Sequence, residues 1–131
     1  MFGLKKQLIK SFIKLNVIEN KPNFLKIHIN KLQDIAPEYR VYEKQIIEAI
    51  KLLKGIENVQ VDFNNSVVSI SYDGEKVKPQ TIFYWLQAIL DVGLDNFELI
   101  EQYVEKDMDK VKTYLWPILE SKVQQYNRYK G

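Results

Sequence analysis

The feature that most constrains the fold is a series of apolar patterns between Phe24 and Val92. Phe24–Asn30 alternates apolar and polar residues, which predicts a strand, and Tyr39–Lys54 has the three-to-four-residue apolar spacing of a helix. Two more strands are predicted next, joined by a tight turn at Asn64-Asn65, and then a second helix. These three segments are Val59–Phe63, Ser66–Tyr72 and Pro79–Val92.

Strand, helix, strand, strand, helix is the opening order of a split βαβ, or ferredoxin-like, α+β sandwich. We therefore predict this fold class, with an added N-terminal amphipathic helix and a long C-terminal helical segment. The predicted boundaries are 1–22 for the N-terminal helix, 23–93 for the core and 94–131 for the C-terminal extension.

The sequence contains no cysteine, which excludes disulfides, thiolate metal sites and cysteine nucleophiles. The positive charge is concentrated at the N-terminus, because residues 1–22 carry five lysines and one glutamate. The remainder is slightly acidic, whereas a nucleic-acid-binding domain is expected to be basic on its folded face. We therefore predict a cytoplasmic protein that does not bind nucleic acid.

The N-terminal segment Met1–Leu15 has the pattern of a short amphipathic helix ending before Lys21-Pro22. It is too short to span a bilayer and has no cleavable signal pattern. Three interpretations remain open: contact with a membrane interface or a partner, docking on the protein's own core, or organellar targeting. The candidate membrane or partner contacts are Phe2, Leu4, Lys6, Leu8, Ile9, Lys10, Phe12, Ile13 and Lys14.

On the first predicted strand, Leu25, Ile27 and Ile29 alternate with Lys26 and His28. The apolar set should face the helices, which leaves an open polar face without an aromatic side chain. That composition argues against an RNA-recognition domain, because such domains stack bases on aromatic residues. The residues expected on the open face are Lys26, His28, Gln60, Asp62, Val67, Ser69 and Ser71.

The stretches "NFLKIHINKL" and "GIENVQVDFNNSVVSISYD" resemble the heavy-metal-associated domain superfamily over residues 23–92, and most closely its cysteine-free branch. Thiol-bearing members carry a Cys-x-x-Cys loop after the first strand, where this chain has Asn30-Lys31-Leu32. Soft metals need soft ligands, so thiolate metal transfer does not carry over. The resemblance implies a location attached to or near P-type metal-transporting ATPases, including some linked to iron storage. Lys26 and His28 stand where that branch often has Arg-x-Arg.

The sequence gives little support for metal binding or catalysis by this chain. His28 and Asp62 are weak candidates for a metal site, because two ligands hold an ion poorly. The carboxylate pairs Asp34/Glu38 and Asp107/Asp109 have no nucleophile beside them. We predict no catalytic residue, no cofactor and no enzymatic activity.

The C-terminal segment Leu94–Tyr129 has helical spacing, with Pro117 expected to kink or split the helix. It could cover the core or form a dimer or partner interface, for which Tyr114, Trp116 and Tyr126 are the candidates. This segment does not resemble the closing strand of a complete ferredoxin-like sheet, so one sheet edge is expected to be open.

Together these features predict a non-enzymatic accessory protein, cytoplasmic or peripheral on a membrane, that supports metal transport or storage, iron included, through protein contacts. A P-type metal ATPase, a second copy of the chain and an anionic membrane surface are the predicted partners. The alternative is a structural or assembly subunit of a larger complex with no metal role.

Overall fold

The computed structural model describes residues 13–34, 37–40, 42–103 and 106–127. Four strands form one sheet in the order β1-β2-β4-β3, and each neighbouring pair is antiparallel. The strands are β1 (Leu15–Lys21), β2 (Phe24–Ile29), β3 (Ile56–Asp62) and β4 (Val67–Tyr72).

Five α-helices lie within the described residues, together with a 3₁₀ turn at Leu32–Asp34. None of these helices has the length and the apolar composition needed to cross a bilayer. The helices are α1 (Pro37–Arg40), α2 (Glu43–Ile50), α3 (Pro79–Asp95), α4 (Phe97–Tyr103) and α5 (Met108–Asn127). The mixed α+β architecture agrees with the predicted fold class. The helix α3 was predicted to end at Val92 and extends three residues further, to Asp95.

The strand β1 corrects the prediction for the N-terminal region. Residues 15–21, assigned to a helical segment ending at residue 22, instead pair with β2 from Leu15↔Ile29 to Lys21↔Phe24. The strand therefore occupies the fourth position of the sheet, and the edge of β2 that was expected to be open is covered. The predicted helix over residues 1–12 lies outside the described residues, and Ile13 and Lys14 belong to no helix.

A two-residue turn makes the β1–β2 pairing possible. Pro22 fixes its own φ, and Asn23 adopts φ 65°, which is the combination of a type II turn. Asn23 also joins this turn to the end of β4, because its backbone carbonyl accepts the Tyr72 N–H at 3.0 Å and its side-chain oxygen accepts the Gly74 N–H at 2.8 Å. The turn is thus fixed by both local conformation and tertiary contact.

The core lies between the sheet and the helices. Leu25 and Ile27 on β2 and Ile70 on β4 are fully buried, as the alternation predicts, because every second side chain of a strand points to the same face. Trp85 of α3 is also fully buried, and its indole N–H donates to the carbonyls of Ala49 and Ile50, each at 3.2 Å. One side chain therefore joins α3 to the end of α2.

The C-terminal helices differ from the prediction in the position at which the helical structure is interrupted. The helix α5 continues through Pro117, and within the described residues the segment is not helical at Asn96, Lys106 and Asp107. Along α5, every fourth residue from Val111 to Val123 is buried in the core cluster, and Tyr126 contacts the Trp85 ring with centroids 5.5 Å apart. The described part of this segment thus covers α3.

Candidate functional site

The open face of the sheet is built from the alternate residues of the four strands that point away from the helices. The strand register places Lys26 beside Ser69, with Gln60 beyond it, and His28 beside Val67, with Asp62 beyond it. On its other side, Lys26 pairs with Glu19 of β1. The remaining neighbours of Lys26 and His28 on this face are mostly uncharged. The face is therefore polar with scattered charges.

The register separates the two weak metal candidates. His28 and Asp62 lie on β2 and β3 with Val67 of β4 between them, so they are two strand spacings apart, about 9.6 Å. That separation is too large for both side chains to ligate one ion without large movement. Among the described residues, no group of three or more histidine, aspartate or glutamate side chains could hold a metal ion.

The Asp62 carboxylate is engaged within its own turn. It accepts the backbone N–H of Asn65 at 3.2 Å and the side-chain N–H of the same residue at 2.8 Å. These hydrogen bonds favour the charged form, so the pKa of Asp62 lies below its usual value. The carboxylate thus acts as a turn cap.

One aromatic side chain on this face was missed by the sequence reasoning. Phe24 pairs with Ser71 and has the same orientation as Lys26, whose Nζ lies 6.0 Å from the Phe24 ring centroid. The statement that the open face has no aromatic residue is therefore wrong. Strand alternation, applied one residue earlier, would have found Phe24.

The loop after β2 is the position at which the resemblance seen in the sequence would place thiol ligands. Asn30 donates its N–H to the Lys14 carbonyl at 3.2 Å, and its side-chain oxygen accepts the Lys14 N–H. The buried Ser66 accepts the Gln33 N–H on its Oγ at 3.0 Å. Ser66 has φ 59°, so the left-handed residue of the β3–β4 turn is this serine and not either predicted asparagine. The loop is held by hydrogen bonds and contains no soft ligand.

A concavity runs across the open face toward the β3–β4 turn. Arg40 of α1 borders it, with its guanidinium 5.4 Å from the Phe63 ring centroid and an N–H donated to the Gln33 carbonyl at 2.9 Å. Sequence reasoning did not single out Arg40, because its placement depends on the path of the loop before α2. The concavity mixes Lys26 and Arg40 with Glu43 and Asp62, so it has no single charge preference.

The predicted C-terminal interface residues do not converge on one surface. Tyr114 is 53% exposed, whereas Tyr126 is half-buried and packs against Trp85. Trp116 is half-buried under Lys112, whose Nζ lies 5.0 Å from its ring centroid and also contacts Glu48 at 2.9 Å. Hydrogen bonding to this lysine lowers the pKa of Glu48. Of the predicted N-terminal contacts, Ile13 is half-buried and Lys14 exposed, and the others lie outside the described residues.

Comparison with known proteins identifies one family. The family model of the heavy-metal-associated domain matches residues 41–89, just over a third of the chain. The match includes α2, β3, β4 and most of α3, and it does not include β2 or the loop that follows it. No curated protein and no solved structure matches the chain. The resemblance to the heavy-metal-associated domain is therefore confirmed for residues 41–89, which carry the pattern of that domain, and the assignment to a cysteine-free branch stays a prediction.

Proposed function

We propose that this chain is a non-enzymatic accessory protein that supports metal transport or storage, iron included, through protein contacts and not through thiolate ligation. The family match indicates a metal-related role, because heavy-metal-associated domains are typically metal-binding or metal-transfer modules without enzymatic activity. The observation that carries the proposal is the loop at Asn30–Asp34, which stands where the thiols would be and is instead held by backbone and serine hydrogen bonds.

The ligand chemistry supports this division of roles. Copper and zinc sites of this family type depend on soft ligands, and the sequence contains no cysteine. His28 is half-buried on the open face, Val67 separates it from Asp62, and the Asp62 carboxylate is hydrogen-bonded to Asn65. Metal would therefore be handled by a partner protein, with this chain docked against it.

The partner that fits this role is a P-type metal-transporting ATPase, because domains of this family commonly contact such transporters. The open sheet face, with Lys26 and His28 at its centre, supplies the contact surface. The basic N-terminal segment would place the protein at the anionic cytoplasmic surface of the membrane that holds the transporter.

Direct metal binding is tested on the untagged full chain by elemental analysis and by calorimetric titration with ferrous, manganous and zinc ions. We expect no stoichiometric binding of any of the three. Stoichiometric binding that disappears in His28→Ala would overturn the proposed division of roles.

Partner contact is tested by binding the chain to a P-type metal ATPase in lipid nanodiscs. We expect Lys26→Glu, on the open face, to weaken binding by about tenfold or more, since reversing an interfacial charge costs on the order of 1.4 kcal/mol. Lys122→Glu on the exposed side of α5 makes the same charge change away from this face, and its binding should equal that of the parent chain. Equal loss in both variants would exclude the open face as the contact.

Membrane placement is tested by sedimentation with phosphatidylserine vesicles. We expect the full chain to sediment and the Lys6→Glu/Lys10→Glu variant to remain in the supernatant, because each basic residue near an anionic surface contributes about 1 kcal/mol of attraction. Equal sedimentation of the two proteins would remove the membrane from the proposal.

The second candidate is a structural or assembly subunit with no metal role. It is favoured by exposed aromatic side chains away from the sheet, since Tyr84 is 48% and Tyr114 53% exposed, and such residues often mark protein contacts. If the ATPase does not bind and a complex depends on Tyr114 instead of Lys26, this candidate replaces the first.

A further inference from the structure

The outer flank of α3 carries an apolar stripe that the core does not fully cover. Phe83, Leu90 and Leu94 are seven and four residues apart, so they share one side of the helix, and each is half-buried. The buried side chains of α3 lie on other sides of the helix and pack into the core cluster. The helix α3 also contacts the edge strand β1, on which Val17 is 46% exposed. We call this surface the α3 flank.

Acidic residues border the α3 flank. Asp91 and Asp95 lie on the solvent side of the stripe, and Glu98 and Glu101 continue the negative charge on α4; all four are exposed. Over residues 91–109 the sequence has seven acidic side chains and one lysine. A segment that combines apolar side chains with positive charge would complement this surface.

The topology brings the start of the described chain to the same end of the molecule. The Lys14 carbonyl accepts the N–H of Asn30, just past the end of β2, so the chain enters the sheet at that end. The helix α3 begins after β4 at the opposite end, where Asp73 donates its N–H to the Gly55 carbonyl. Its last turns, with Leu94 and Asp95, therefore lie at the end where Ile13 enters. Twelve residues span about 18 Å as a helix and up to about 40 Å extended, so either form reaches the flank.

We propose that the basic N-terminal segment, residues 1–12, binds the α3 flank of its own chain. Its apolar residues, which include Leu8, Ile9 and Phe12, cover Leu90, Leu94 and Val17, and its three lysines face the acidic border. Short tethers give effective concentrations in the millimolar range, so the segment occupies this surface in preference to a separate chain of the same composition.

Docking of this kind adds a regulatory step to the proposed membrane placement, and in that respect alone it rests on the proposed function. The lysines that would attract the chain to anionic lipid are the ones held at the acidic border. Lipid and flank then compete for one segment. A membrane of high anionic content releases the segment, and a neutral membrane leaves it docked.

Because the chain has no cysteine, two introduced cysteines can be spin-labelled without background. The probe is a nitroxide pair at Gln7→Cys and Gln102→Cys in the full chain, with distances measured by double electron–electron resonance. Docking predicts one narrow distance population that persists when the labelled protein is diluted into an excess of unlabelled chain. A broad distribution would overturn the proposal, and so would a narrow population that disappears on dilution, because that result indicates a second copy as the occupant.

Two matched variants test the apolar contact. Ile9→Asp places a charge on the apolar side of the segment, and we expect the narrow population to fall by about tenfold or more, because burying an unpaired carboxylate is strongly unfavourable. Ser11→Asp adds the same charge on the polar side and should leave more of the narrow population than Ile9→Asp does. If the two variants have equal effects, the apolar side is not the docking face.

A charge exchange tests the electrostatic contact. Lys6→Glu/Lys10→Glu should reduce the narrow population, and combining it with Asp91→Lys/Asp95→Lys should restore it. Failure of the exchange to restore docking would rule out the acidic border as the partner. Adding phosphatidylserine vesicles should convert the narrow population into a broad one. Docking with no response to vesicles sustains this inference and removes the membrane from the proposed function.

Discussion

The two faces of the sheet differ in how fully their side chains are used by the fold. On the helix-covered face, Leu25, Ile27 and Ile70 have no solvent exposure. On the open face, Lys26 and His28 alternate with Leu25 and Ile27 along β2 and remain partly exposed. Within one strand, successive side chains therefore alternate between the apolar interior and the solvent.

This difference assigns stability mainly to one face of the sheet and leaves the other face for function. Burial of apolar area is the dominant stabilising term in folding, so the covered face determines whether the domain forms. Substitutions on the open face should affect the fold less, which leaves this face available for the partner contact proposed above.

The largest predicted effect is on the covered side, at Trp85. Trp85→Ala removes a fully buried ring and leaves the Ala49 and Ile50 carbonyls without its N–H, so we expect the free energy of unfolding to fall by about 3–5 kcal/mol. Chemical denaturation measures the change. Trp85→Phe keeps most of the packing and loses the donor, so its effect should be smaller. A loss below 1 kcal/mol for the alanine variant would contradict the role of Trp85 as the join between α2 and α3.

The next prediction compares neighbouring residues on β2. Ile27→Ala should lower the free energy of unfolding by about 2–5 kcal/mol, because it leaves a cavity under the helices. His28→Ala, on the open face, should change it by no more than about 0.5 kcal/mol. The two variants are compared by denaturant unfolding under the same conditions. Similar losses would mean that the open face is also structural.

A pair of glycines gives a smaller contrast on the covered side. Gly55 has φ 99°, and an added Cβ would lie 2.8 Å from Val77 Cγ1, so Gly55→Ala should destabilise the fold by about 1–3 kcal/mol. Gly93 lies within α3, and an added Cβ there meets no atom within 4 Å. Gly93→Ala should therefore stabilise the helix by about 0.5–1 kcal/mol, and thermal unfolding should separate the two variants in opposite directions.

Local periodicity was sufficient to predict β2, β4 and α3, because each has an uninterrupted pattern of one period. It found β3 only from Val59 onward, because the pairing register of this strand shifts between Ile56 and Asn58. It failed at β1, where the register shifts between Val17 and Glu19, so Ile18 breaks the alternation. The preceding residues also have a helical apolar pattern, which extended the predicted helix too far. The dipeptide Pro22-Asn23 between two apolar stretches was the signal for a hairpin.

The open face was predicted in part. Alternation placed Lys26, His28 and Asp62 on it, but the distance between His28 and Asp62 depends on strand order, which alternation does not specify. The contact of Arg40 with Phe63 depends on the loop path between β2 and α2, which has no periodic pattern. The sequence therefore predicted which residues lie on the open face, but it did not predict which of those residues contact each other.

The smallest predicted effect concerns the charge of Asp62 on the open face. Hydrogen bonds from Asn65 lower the pKa of its carboxyl below the usual value of 3.8, so this carboxylate contributes stability above that pH. The contribution is lost as the pH falls through the folded-state pKa. Asn65→Ala removes the side-chain donor and keeps the backbone donor, so the pKa of Asp62 should rise toward 3.8 without reaching it. Nuclear magnetic resonance titration of the Asp62 carboxyl measures the change.

Two controls make this prediction specific to the turn. Asn64→Ala removes a side chain that gives Asp62 no side-chain hydrogen bond, and the pKa of Asp62 should stay at its parent value. His28→Ala should also leave it unchanged, because Val67 separates the two side chains across the sheet. A pKa of Asp62 that shifts with His28 would mean that the open face joins its charged groups across strands, as a metal site requires. Shifts confined to Asn65 mean that each charge is satisfied locally, which leaves the face free to be recognised by a protein partner.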